Sequence, residues 1–165
     1  MLTPISVSYL HMLYSYHAWA NRRILQAAEG TDIGAQPIAA HGSMRDILVH
    51  CASAKWMWRS LWNGVSPTGP LDAADFPDLA TIRTRWERET QLLREKIGQL
   101  TDHELSQAIT YTRRDQTAST PVWQILLQIA NHGTQHRSEL AAMLTILGHS
   151  PGDLDMLVFF RSQLP

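Results

Sequence analysis

Apolar residues recur at alternating steps of three and four through four long stretches of this chain. That period is the signature of amphipathic α-helices packed through one apolar face. The first stretch predicts a helix from about Ile5 to Glu29, with the seam Leu10, Leu13, His17, Ala20, Ile24 and Ala27, ended by Gly30. The second predicts a helix from about Met44 to Trp62, with Ser43 as N-cap and Asp46 suited to the positive helix end. Its seam runs Ile47, His50, Ala54, Met57, Leu61, and Asn63-Gly64 stops it. The third, about Asp78 to Leu100, sets Leu79, Ile82, Trp86, Leu93 and Ile97 on one side. The fourth opens at Thr120-Pro121, read as an N-cap followed by a proline at the first helical position. Its seam is Val122, Ile125 or Leu126, Ile129, His132, His136, Leu140, Met143 and Leu147, and Gly148 ends it.

Between these stretches the chain is loop-like. Thr31 to Gly42 and the proline-rich Val65 to Pro77 are connections, and Thr101-Asp102-His103-Glu104 is a capping box able to start a short turn. Ile109-Thr110-Tyr111-Thr112 is the one strand-like run, a loop or small hairpin, and the tail from Asp153 to Gln163 suits a short C-terminal helix. The expected fold is all-α: a four-helix bundle in a single domain over residues 1–165, with long loops. The excursions after the second and third helices leave room for a crossover, so strict up-down-up-down order is not required.

Bulk properties narrow the function. Apolar residues make up 44% and charged ones 18%, as in a globular chain, and a net charge of −1 gives no electrostatic attraction for nucleic acid or an anionic membrane. Arg83, Arg85 and Arg88 alternate with Glu87, Glu89 and Glu95, the pattern of a solvated helix face. No apolar run reaches bilayer length, the start Met1-Leu2-Thr3-Pro4 lacks a signal-peptide pattern, and the lone Cys51 cannot form an internal disulfide. The expectation is a cytoplasmic protein.

Four histidines interrupt the apolar seams. His132 and His136 stand four apart, so a helix turns both imidazoles to one face, within reach of one ion. His50 falls on the seam of the second helix and is the natural third ligand. A lone seam histidine is ordinarily a hydrogen-bonded core residue, but three on helices that can face one another point to a metal. Three imidazoles leave one position open to water or substrate, the mark of a reactive site rather than a structural one, and they accept zinc, nickel, iron or copper. His17, also on a seam, is either a fourth ligand or a pocket-edge histidine donating a hydrogen bond. His11, His41, His103 and His149 lie at loop or exposed positions with no special case. Cys51, next to His50, points about 100° away from it and is expected as a small buried thiol. No His-Glu-x-x-His string, Glu-x-x-His pair, phosphate loop or Gly-x-Ser-x-Gly elbow is present.

Tyr16-His17-Ala18-Trp19-Ala20-Asn21-Arg22-Arg23-Ile24-Leu25 resembles the opening helix of the DinB/YfiT-like proteins. Arg45-Asp46-Ile47-Leu48-Val49-His50 followed by Trp58 resembles their first ligand motif, and Asn131-His132 to His136-Arg137 with Leu144-Thr145-Ile146-Leu147-Gly148 their closing one. The resemblance implies a bundle holding a divalent metal, zinc or nickel, on His50, His132 and His136, commonly as a homodimer. It also implies thiol-dependent S-transferase or isomerase chemistry with mycothiol, bacillithiol or glutathione. Two positions depart from the pattern: His17 stands where Asn is frequent, and Ser138-Glu139 where Gly-Gln is common, so that Glu139 is expected first as a helix-surface charge and otherwise as a carboxylate supporting the site.

The expected activity is therefore that of a metal-dependent hydrolase or a low-molecular-weight-thiol S-transferase acting on a small molecule, the metal activating a bound water or thiol. His17, Asp46 and Glu139 are the candidate pocket or supporting groups, and none is singled out as a general base. The competing expectation is a non-catalytic, metal-stabilised helical module for binding or stress response.

Overall fold

The computed structural model describes residues 5–39, 41–113 and 116–164. Four long helices carry the chain: α1 (Val7–Ala27), α2 (Met44–Trp62), α3 (Leu79–Gly98) and α5 (Val122–Ile146). Shorter elements are α4 (Asp102–Leu105), the antiparallel hairpin β1 (Ala108–Arg113) and β2 (Gln116–Pro121), and α6 (Met156–Ser162). A 3₁₀ turn at Ala73–Asp75 lies between α2 and α3. Among the described residues no helix is long and apolar enough to cross a membrane.

The long helices start where the caps place them. Ser43 accepts from the Asp46 backbone N–H while the Asp46 carboxylate takes the Ser43 backbone N–H, a full capping box at the head of α2. Thr101 and Glu104 form a second capping box at α4, and Ser6 and Asp78 cap α1 and α3 through their side chains alone. The fourth long helix differs from expectation by one residue. Pro121 itself is the N-cap and offers no side-chain bond, because the hairpin runs to that position and pairs it with Ala108.

α1 packs on α3 and α5, and α2 packs on the same two, so the four close into a ring in the order α1–α3–α2–α5. Two apolar clusters fill its ends. One gathers Ile24, Met44, Ile47, Ile82, Trp86, Leu140 and Met143; the other gathers Leu10, Tyr14, Leu93, Ile97, Leu126 and Ile129. Their membership fixes the directions: α1 and α5 run one way, α2 and α3 the other. The loop from 63 to 78 must therefore travel the length of the ring to join α2 to its parallel neighbour α3. On the way its Leu71 backbone N–H bonds Ser53 Oγ at 2.9 Å, and Leu71 and Phe76 pack on the first cluster.

Between the two apolar ends lies a polar waist. It holds His17, Asn21, Lys55, Glu89 and Arg137, all buried. Glu89 occupies the position between Trp86 and Leu93 on the buried stripe of α3 and is 2% exposed. Arg59 Nη2 from α2 lies 2.8 Å from one of its oxygens, and Arg85 Nε lies 3.0 Å from the other. The interleaved charges on this segment are thus partly core, not simply a solvated face. Replacing Glu89 by Ala should lower unfolding free energy by roughly 2–3 kcal/mol in urea denaturation, the low end for a broken buried pair because both guanidiniums keep some water. A loss under about 0.5 kcal/mol would show that the network is neutral.

Candidate metal centre

α2 and α5 face one another along the ring, and their imidazoles meet at the waist. His132 and His136 lie one turn apart on α5, with ring centres 4.5 Å from each other. His50 on α2 sits 4.9 Å and 4.8 Å from these two rings. His50 Nε2 and His132 Nε2 are 2.9 Å apart, and the three rings can offer nitrogens all within 4.8 Å of one another. Imidazole–zinc bonds of about 2.0–2.1 Å require separations of that order, so the donor set fits a single ion.

The three are not equally enclosed. His136 is buried, His132 half-buried and His50 exposed. The buried face of α2 passes through Leu48, Cys51, Ala52 and Lys55 rather than through His50, Ala54 and Met57. The stripe expected from the sequence is thus rotated toward the rim, because its His50–Ala54–Met57 stretch lines a cleft instead of the core. That cleft encloses about 290 Å³ and is walled by Met57, Trp58, Pro70 and Ile129 beside His50 and His132. Pro70 comes from the long loop between α2 and α3, and Trp58 is held edge-on by Tyr111 of the hairpin at 5.4 Å.

A carboxylate holds the buried member in place. His136 Nδ1 lies 2.7 Å from Glu139 Oε2, which leaves Nε2 for the cluster. Glu139 Oε1 reaches His41 Nδ1 at 2.8 Å, and the His41 ring stands edge-on to His136 at 4.8 Å. Glu139 is thus one turn away from its histidine and joins the site, not the outer helix surface. Burial alone would raise its pKa, but the bonds with His136 and His41 outweigh burial and hold its carboxyl below the usual range. His132 falls to about 4, through burial first and the neighbouring His136 and His50 next. His50 is lowered for the same reasons, led by burial. Both shifts favour the neutral imidazole at His50 and His132, the form that binds a metal.

His41 was passed over in the sequence because a loop has no period to read. Its signal is local: Gly42 follows it at φ +106°, and a Cβ there would stand 2.6 Å from Asp46 Oδ2. Only glycine lets the loop turn tightly into the capping box, and that turn sets His41 over Glu139. Asp46, in contrast, belongs to the cap of α2 and to neither histidine cluster; both Ser43 N and Ser43 Oγ lie on its Oδ2.

His17 also lies outside the triad. It is an acceptor rather than a donor: Arg137 Nη1 approaches its Nδ1 at 2.8 Å and Asn21 Oδ1 at 3.2 Å, while Nη2 bonds Thr134 Oγ1 at 2.9 Å. Gly133 makes this possible, since a Cβ on it would stand 3.3 Å from Arg137 Nη1 and 3.7 Å from His17 Nδ1. Burial, with Arg137 and Lys55 adding to it, drives His17 down to about 2. Cys51 is fully enclosed, and burial pushes its thiol up to about 12, so it stays protonated and away from the cluster.

The sequence model described as the DinB family matches residues 1–164 of the chain. No curated protein matches it.

His17 generates a pH prediction. Its folded value of about 2 lies below the ordinary 6.5, so the unfolded chain binds the extra proton between those limits. Its contribution is complete above pH 6.5 and lost as pH falls toward 2, by up to about 1.4 kcal/mol per pH unit. In metal-stripped protein, His17→Asn should flatten the decline of urea stability between pH 7 and 5. An identical slope in both proteins would mean that His17 protonates freely in the fold.

Proposed function

The chain belongs to the DinB family, and from that premise we propose a metal-dependent enzyme that activates a water or a low-molecular-weight thiol against a small electrophilic substrate. The carrying observation is the convergence of three imidazoles, two of which, His50 and His132, line a cleft of about 290 Å³. His50, His132 and His136 would hold one divalent ion, zinc or nickel. When bound, such an ion lowers the pKa of a water or thiol into the neutral range and so supplies a nucleophile, giving a hydrolase or an S-transferase.

The protein's own groups do the rest. Glu139 fixes the His136 tautomer and turns its free nitrogen to the cluster. His41, exposed and bonded to the other oxygen of Glu139, holds that carboxylate from the edge of the site. Met57, Trp58, Pro70 and Ile129 give the cleft apolar and aromatic walls, suited to the body of a small organic substrate and to exclusion of bulk water. The ring of long helices is read as the four-helix bundle of the family. A homodimer belongs to the same reading, with exposed Leu157, Phe160 and Leu164 as an apolar stripe along and just past α6.

Elemental analysis of untagged protein tests the centre. Near-stoichiometric zinc or nickel is expected in the wild type and is lost in His132→Ala and His136→Ala. Glu139→Gln should weaken metal affinity about 10–100-fold. Asp46→Asn should leave affinity unchanged and lower stability by about 1 kcal/mol through the cap. Absence of metal after reloading with either ion would sink the reading. With metal present, p-nitrophenyl acetate alone, and chlorodinitrobenzene with glutathione, bacillithiol or mycothiol, separate hydrolysis from thiol transfer.

A further inference from the structure

Beneath the cleft lies a second, smaller space at the centre of the ring. It encloses about 20 Å³ and shares Ala54, Ile129 and His132 with the cleft above. On its far side it shares Asn21, Trp86 and Thr90 with a groove between α1 and α3. Its lining is unusual for a core. It carries Lys55 and Arg137, both at least nine-tenths buried, and among the described residues no Asp or Glu.

The polar groups there have more donors than acceptors. Lys55 Nζ donates to Thr90 Oγ1 at 3.0 Å and lies 4.6 Å from the centre of the Trp86 ring, which leaves ammonium donors over. Trp86, 2% exposed, has a buried indole N–H with no acceptor among the described residues. Among the described residues Arg137 finds neutral partners in His17, Asn21 and Thr134, and its guanidinium lies 5.7 Å from the centre of the Tyr16 ring. His17 and Asn21 already serve Arg137, and the Tyr14 hydroxyl, which donates to the Leu126 carbonyl at 2.8 Å, has lone pairs to offer but no charge. The nearest buried carboxylate, Glu89, is engaged by Arg59 at 2.8 Å. Buried cations without a counter-charge and an orphaned donor are costly unless something completes them.

We propose that this space is an anion site, in which Lys55, Arg137 and the Trp86 N–H receive the carboxylate end of a substrate whose body lies in the cleft. Size selects the ligand. A water needs roughly 10–15 Å³ of such space, so the cavity takes a group slightly larger than one water and excludes a phosphate or a ring. Charge selects it as well, because a neutral carbonyl would satisfy a donor and leave the cations uncompensated. Burial, with Arg137 adding to it and Cys51 and Glu89 only partly opposing it, pulls Lys55 down to about 7, and a bound anion offsets that penalty. The position of the substrate body rests on the metal-cleft reading, but the anion site does not.

Formate is the probe. Its ¹³C line should broaden saturably with the protein at pH 6.5, with a matching rise in Tm, while formamide, and sulfate at matched ionic strength, give no such rise. Lys55→Met should weaken formate binding about tenfold or more, the loss expected for a charge-assisted bond. Trp86→Phe should weaken it less and serves as a second variant should Lys55→Met fail to fold. Metal content should be unchanged in both variants. Equal responses to formate and sulfate, or undiminished formate binding in Lys55→Met, overturn the proposal. Formate binding in protein that takes up no metal overturns the metal reading and leaves this site standing; metal uptake without formate binding does the reverse.

Discussion

Arg137 is the buried cation around which the middle of the molecule is arranged. A guanidinium that is 3% exposed cannot be left without acceptors, and it takes them from two helices at once: Thr134 on its own and His17 and Asn21 on α1. That demand fixes the rotation of α5 about its axis. With Arg137 aimed at α1, the next residue back, His136, turns about 100° away toward α2, together with His132 one turn earlier. The two faces of one helix turn thus serve different neighbours, and the histidine cluster exists because the arginine on the adjacent face is tied down.

The same demand explains the division of the core. Apolar clusters fill the two ends of the ring, and every strongly polar buried side chain sits between them. Concentrating the polar groups in one layer lets most of them satisfy one another, which an isolated charge among Leu and Ile could not do, and gathers the surplus donors of Lys55 and Trp86 at one place. It also gathers functional groups at one height. The cleft on the α2–α5 side, the small cavity at the centre and the groove on the α1–α3 side form a row through that layer, sharing wall residues from one to the next.

Periodicity made the helices readable. α2 spans the expected Met44–Trp62, and the seam of α1 from Leu10 to Ile24 is buried throughout. The convergence of His50, His132 and His136 was legible for the same reason. Charged residues escaped, because pattern reading assigns Lys, Glu and Arg to water: Lys55, Glu89 and Arg137 all face inward. The signal was there for two of them, since Glu89 fills the gap between Trp86 and Leu93 and Arg137 stands three and seven residues before Leu140 and Leu144. His41 could not be found this way, for its position depends on a glycine turn and a capping box. Leu147, placed on the seam by its spacing, is exposed because the helix has ended by then.

The order of assembly follows from where the imidazoles lie along the chain. His50 and His132 meet across a gap of 82 positions, and Glu139 joins His41 across 98. Closing such gaps carries an entropy penalty that contacts repay only once the flanking helices have docked. A chain emerging with α1, α2 and α3 holds one of the three nitrogens, and a free α5 holds two. The complete set belongs to the finished ring alone, so an ion bound by all three stabilises the native chain and not its precursors. Such an ion acts as a latch on a completed fold rather than as its seed.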